Sequence, residues 1–166
     1  MNLLTSKYCF LYFLFFAFFL SISSCKKDSF ITSATARLST SADSIKYDTV
    51  FTSIGSTTQS FTIRNENDQK LLVSSIKIMG SSSSPYKINI NGLAATEARD
   101  IEIAAEDSIY VFVTVNINPN LNDLPFIVKD SIQIQYNGNT KFVQLEAFGQ
   151  NANFLRNRMI DVNTTW

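Results

Sequence analysis

The chain has 166 residues and sets fourteen lysines and arginines against fourteen aspartates and glutamates, with no histidine. That length suits one domain with short accessory segments, and the charge balance gives no electrostatic reason to expect nucleic acid as a partner. Without histidine, a Ser-His-Asp triad, a Cys-His pair and a zincin helix are all excluded.

The first element is an uncharged apolar block, Tyr8 to Leu20, behind a short polar stretch that carries Lys7. Its thirteen residues fall short of the ~20 that a helix needs to cross a hydrocarbon core. They suit the apolar region of a secretory signal, and the small residues Ser21, Ser23 and Ser24 that follow suit its cleavage site. Residues 1–24 are therefore expected to be removed on export. Loss of Lys7 leaves thirteen basic residues against fourteen acidic ones, too even a balance to hold anionic headgroups.

Ile22-Ser23-Ser24-Cys25 looks like a lipobox: an aliphatic residue, two small residues and the cysteine that becomes the new N-terminus. In lipoproteins that it resembles, the Cys25 thiol takes a diacylglycerol and the amine is usually acylated afterwards. Two or three chains give a stable anchor where one is marginal, at about 0.8 kcal/mol per buried CH₂. Cys9 leaves with the signal, so Cys25 is the only mature cysteine and no disulfide can form within the domain. Lys26-Lys27-Asp28 resembles the surface-export tags of Bacteroidetes-type lipoproteins, and is equally an ordinary solvated linker. The expected location is the outer membrane, facing either the periplasm or the exterior.

Residues 25–33 are polar, without apolar periodicity, and read as a tether. From residue 34 the apolar period is two, the signature of strands. Ile45, Tyr47, Thr49 and Phe51 share one parity, as do Phe61 and Ile63, then Leu72, Ser74, Ile76 and Ile78. Tyr86, Ile88 and Ile90 alternate up to the turn dipeptide Asn91-Gly92, and Ile101 and Ile103 flank Glu102. Ile109 to Val115 is apolar on both parities and reads as a strand covered on both faces. Ile132, Ile134 and Tyr136 alternate before Asn137-Gly138, a strong hairpin signal, and Phe142 to Phe148 follows.

No amphipathic helix is evident from 34 to 150, so the expected fold is all-β: an immunoglobulin-like β-sandwich of seven or eight strands over residues 34–150. Phe51, Phe61, Ile76, Val111, Val113, Ile134 and Leu145 are its expected core, at about 1.5–3 kcal/mol each. Residues 151–166 lose the alternation and read as a tail, the expected start of a further module.

A set of short segments carries a family resemblance. It includes Asp48-Thr49-Val50-Phe51-Thr52, Ser84-Pro85-Tyr86, Asp107-Ser108-Ile109-Tyr110-Val111, Pro119-Asn120, Asp130-Ser131-Ile132 and Gly149-Gln150. The set resembles the N-terminal region of uncharacterised Bacteroidetes-type outer-membrane lipoproteins, which is similar to the immunoglobulin-like domains of the abnormal-spindle and hydin group. The resemblance implies an immunoglobulin-like domain over roughly residues 34–152. It also implies continuation into a longer module, often like a right-handed β-helix, and it assigns no catalytic residue.

Chemistry is sparse. There is no nucleophile elbow and no phosphate-binding glycine loop, so neither catalysis nor a cofactor is expected. Glu97, Asp100 and Glu102, with Glu106 and Asp107 nearby, lack the spacing of a calcium loop, and no metal site is expected. Asp43-Ser44-Ile45, Asp48-Thr49-Val50, Asp107-Ser108-Ile109 and Asp130-Ser131-Ile132 all read Asp, hydroxyl, aliphatic. This resembles the O-glycosylation acceptor motif of Bacteroidetes-type bacteria and makes Ser44, Thr49, Ser108 and Ser131 candidate acceptors. The same tripeptide is also good strand-entry chemistry, with Asp107 and Asp130 closing turns.

The expected role is a non-enzymatic interaction or spacer domain held to the membrane by lipid, with another envelope protein or a glycan as partner. A carbohydrate-binding sandwich is the alternative, with Tyr86, Phe126 and Phe154 as its candidate aromatics. Carboxylate catalysis is a distant third.

Overall fold

A computed structural model describes residues 29–118 and 126–152, together with 154, 157 and 159. The signal segment, Cys25 and positions 119–125 lie outside the described residues.

Ten strands form: β1 (Leu38–Thr40), β2 (Ser44–Phe51), β3 (Gln59–Asn65), β4 (Leu71–Ile78), β5 (Tyr86–Ile90), β6 (Leu93–Ala95), β7 (Glu97–Ile103), β8 (Ser108–Val115), β9 (Phe126–Tyr136) and β10 (Asn139–Gln150). The only helical piece among the described residues is one 3₁₀ turn at Ser81–Ser83. The strands make two five-stranded sheets, ordered β1-β3-β8-β5-β6 and β2-β10-β9-β4-β7. The all-β sandwich expected from the alternation is what the chain forms. The two strands beyond the expected eight, β1 and β6, are three residues each, too short to display a period.

Both Asn-Gly pairs make two-residue hairpins, β5–β6 and β9–β10, with Ile90 opposite Leu93 and Tyr136 opposite Asn139. All four turn residues have positive φ, from 44° at Asn137 to 94° at Gly92. That is the type I′ geometry whose twist matches the strands it joins.

The core lies between the sheets. Phe61, Val111 and Val113 of the first sheet and Ile76, Ile134 and Leu145 of the second are buried as expected. Phe51 is not: it is 42% exposed. Its strand pairs in parallel with β10, and the register skips at Asp48, with Tyr47 opposite Ala147 and Thr49 opposite Phe148. This β-bulge moves the inward set from Ile45 and Tyr47 to Val50 and turns Thr49 and Phe51 outward. A second bulge at Ser74 corrects β4 likewise, so that Leu71 and Val73, rather than Leu72 and Ser74, precede Ile76 and Ile78 in the core.

Two tyrosines stitch the sheets together. The Tyr47 hydroxyl donates to the carbonyl of Val113 across the core, and the Tyr86 hydroxyl to that of Val128 at 2.8 Å. Their rings meet at 6.4 Å. Burial raises the pKa of both, and of Tyr136, above the ordinary tyrosine value.

At one end, the fully buried Asn65 is a polar hub. Its side-chain amide donates to the carbonyls of Gln69, Ile103 and Ala104 at 2.8–3.1 Å, and its oxygen accepts from the backbone and side-chain nitrogens of Asn67. Asn67 in turn exchanges hydrogen bonds with the backbone of Arg37. Three chain segments are thus locked by one amide pair.

Ser75 is the opposite case. It sits beside the β4 bulge, is buried, and its hydroxyl has no partner among the described residues. Ser75→Ala should raise the unfolding free energy by about 1 kcal/mol, because the unpaired hydroxyl no longer has to be desolvated. Urea titration should show a higher midpoint at unchanged slope, and a lower midpoint would contradict the assignment.

Candidate functional site

The candidate acceptors occupy different settings. Ser44 and Thr49 are exposed on β2, the edge strand of the second sheet. Ser108 and Ser131 are half-buried, Ser108 at the entry to β8. Asp107 does close the turn there, accepting from the Ser108 amide at 2.7 Å. Asp130 does not precede a strand; it lies inside β9. It holds the 80–84 segment instead, accepting from the Gly80 amide at 3.0 Å, the Ser84 hydroxyl and the Ser131 amide. A Cβ at Gly80 would come within 2.5 Å of the Asp130 carboxylate, so a larger residue there would displace that carboxylate from its bonds.

Among the described residues the carboxylates do not assemble into a centre. Glu97 pairs with Arg99 at 2.8 Å. Among the described residues, no group of three or more cysteines and carboxylates lies close enough to hold a metal ion. A cleft of about 440 Å³ opens between β2 and the segment leading to β3, lined by Lys46, Thr49, Ile54 and Gln59 among others. Asp48 is the one carboxylate on its wall, so the acid pair of a glycoside hydrolase is not formed there.

The expected aromatic ligands are redistributed. Tyr86 is 1% exposed and belongs to the core. Phe126 is half-buried, its ring lying over Gly149, where a Cβ would sit 2.5 Å from the ring. Phe154 is exposed and meets Phe51 edge-on, with centroids 5.8 Å apart. Near it on the outer face of the second sheet, Phe148 stands directly across from Ile127, both exposed.

The outer face of the first sheet holds the pair that the sequence reading missed. Tyr110 and Phe112 of β8 are 53% and 40% exposed, with near-parallel rings 6.0 Å apart. The strand is therefore covered on one face only. The signal was present in Ile109 to Val115: the aromatics take one parity, while Ile109, Val111, Val113 and Val115 take the other and are buried.

Fold and surface together define the chain as an all-β sandwich protein with an exposed, near-parallel aromatic pair on the outer face of its first sheet. No protein-family model and no curated protein matches the chain. Among solved structures it is similar to a family 123 glycoside hydrolase from Clostridium perfringens, at 12% identity and a TM-score of 0.49, over 71% of this chain and 28% of that one. A protein of unknown function from Porphyromonas gingivalis W83 gives 8% identity and a TM-score of 0.48, over 69% and 48%. The E. coli chaperone DraB gives 12% and 0.46, over 69% and 56%. The chain thus spans between about a quarter and somewhat over half of these proteins. At such identities and scores, none of them lends its activity to this chain.

Proposed function

We propose that this protein is a lipid-anchored envelope domain that acts without catalysis, as a spacer that also presents a binding face. The observation that carries the reading is Ile22-Ser23-Ser24-Cys25 directly behind the apolar block, with no cysteine after it. Cys25 is the anchor, and its acyl chains are the membrane partner.

The path of the chain through the sandwich supports this reading. The tether is shorter than its polarity suggests, because residues 30–34 are already bonded to the domain. Phe30 bridges Lys70, the Ile31 amide donates to the Lys70 carbonyl, and Asn137 and Asn139 donate to the carbonyls of Ile31, Ser33 and Ala34. Only residues 26–29 separate Cys25 from that docked segment, a reach of about 17 Å when extended. In this reading, with Cys25 as the anchor, the β9–β10 hairpin is the membrane-proximal end. β10 then runs twelve residues to Gln150, about 40 Å away, where the Thr52 amide binds the Gln150 carbonyl. Entry at one end and exit at the other is spacer geometry, and it displays both outer faces sideways.

A second reading, glycan binding, is favoured by the Tyr110–Phe112 pair on one of those faces.

The anchor is tested by Cys25→Ala. The variant should appear as unlipidated precursor or soluble protein, and lose incorporation of an alkyne fatty acid that labels wild type. Membrane retention of a cleaved, unlabelled wild-type chain would contradict the anchor.

A further inference from the structure

We propose that the outer face of the first sheet is a binding site for acidic glycans, with Tyr110 and Phe112 as its stacking platform. The inference rests on the glycan-binding reading and is independent of the lipid anchor.

The register sets the face. Thr62 stands across from Tyr110, Asn89 from Phe112, Arg64 from Ser108 and Lys87 from Thr114. Cross-strand partners share a face about 5 Å apart. The two rings are therefore flanked by a hydroxyl and an amide, with a cation towards each end. Ser108 and Thr114 mark those ends, about 20 Å apart along β8.

Charge selects the ligand. None of the outward positions of β3, β8 and β5 is acidic. On the other sheet, Lys129 pairs with Glu146 at 3.2 Å and Lys141 with Asp43 at 3.7 Å. Arg64 and Lys87 are exposed and have no ion pair among the described residues. Two uncompensated cations beside exposed rings call for a ligand that brings its own carboxylates or sulfates, and the Arg64 guanidinium can bind either in a bidentate fork.

The backbone excludes an added peptide strand. β8 is hydrogen-bonded on both sides, to β3 and to β5, so recognition here must use rings and side chains. A sugar ring offers an apolar C–H face for Tyr110 and Phe112 and hydroxyls for Thr62 and Asn89. Two cations are too few for the phosphate neutralisation on which nucleic-acid binding depends.

Affinity electrophoresis of the full chain in detergent tests the site, with polygalacturonate, chondroitin sulfate, neutral dextran and polyglutamate cast in separate native gels. At least one acidic glycan should retard the protein, while dextran and polyglutamate should not. Tyr110→Ser and Phe112→Ser should each weaken retardation at least tenfold. Arg64→Gln and Lys87→Gln should each weaken it about threefold, and Phe142→Ser on the opposite sheet should leave it unchanged. These positions are exposed, so unchanged circular dichroism is expected for every variant. Equal retardation by dextran, lost in Tyr110→Ser, would overturn the acidic class while leaving glycan binding intact. Equal retardation by polyglutamate would reduce the face to charge alone and overturn the site. No retardation by any glycan, or retardation indifferent to Tyr110 and Phe112, would overturn both the site and the glycan reading.

Discussion

Asn65→Leu should lower the unfolding free energy by about 3 kcal/mol or more, enough to unfold a marginal domain. Leucine removes the amide that caps the carbonyls of Gln69, Ile103 and Ala104, of which Ala104 keeps the Asp107 amide, and it leaves the Asn67 nitrogens without their Asn65 acceptor. Each buried carbonyl left without a donor costs about 1–3 kcal/mol. The loss should appear as a lower urea midpoint with the slope preserved. Asn67→Ala, at the half-buried periphery of the same hub, should cost only about 1 kcal/mol. A stable Asn65→Leu protein would show that the hub is a by-product of the fold and does not hold it together.

Alkaline pH should destabilise the sandwich steeply. Tyr47, Tyr86 and Tyr136 are kept protonated in the folded state because burial raises their pKa, Tyr86 most of all. In the unfolded chain they ionise near pH 10. Above that value the unfolded state binds fewer protons than the folded one, so stability falls as pH rises, by up to about 1.4 kcal/mol per pH unit for each tyrosine still neutral. Below about pH 9 these groups contribute no slope. Urea unfolding at pH 8, 10 and 11 should therefore give a flat segment and then a fall. Tyr86→Phe should be less stable at pH 8 through loss of the bond to Val128, yet fall less steeply above pH 10. An unchanged alkaline slope in that variant would assign the effect elsewhere.

Much of the sandwich was legible in the sequence because alternation is a direct consequence of strand geometry. Phe61, Ile76, Ile134 and Leu145 could be placed in the core from parity alone, and both Asn-Gly turns were identified by the one backbone conformation that such pairs favour. Parity fails wherever a strand carries an extra residue. Asp48 and Ser74 are those residues, and neither has a composition that marks a bulge, so Phe51 was expected inside and Leu72 was given the wrong face. The parallel pairing of β2 with β10 joins residues about a hundred positions apart, and local pattern holds no information on such contacts.

The surface was harder to read than the core. Tyr86 and Tyr110 are both tyrosines in apolar strands, yet one pins the sheets from inside and the other lies on the outer face. What separates them is the neighbouring parity. Tyr86 alternates with Lys87 and Asn89, which puts it inward, whereas Tyr110 alternates with Ile109 and Val111, which puts it outward. The polar run 65–68 carries no local sign of the hub. That Asn65 reaches back to cap Ile103 and Ala104 depends on a fold-level meeting of two distant loops. The polarity of residues 25–33 reads as a tether, but the carbonyls of Ile31 and Ser33 are taken by Asn137. The sandwich is held close to its expected anchor point.

The mature N-terminus tests the proposed membrane tether most directly. Protein extracted from its native membranes and digested should yield an N-terminal peptide that begins at Cys25 and carries a diacylglyceryl thioether, with further acyl mass on the amine. An N-terminal peptide that begins elsewhere, or a Cys25 thiol free to react with iodoacetamide, would contradict it.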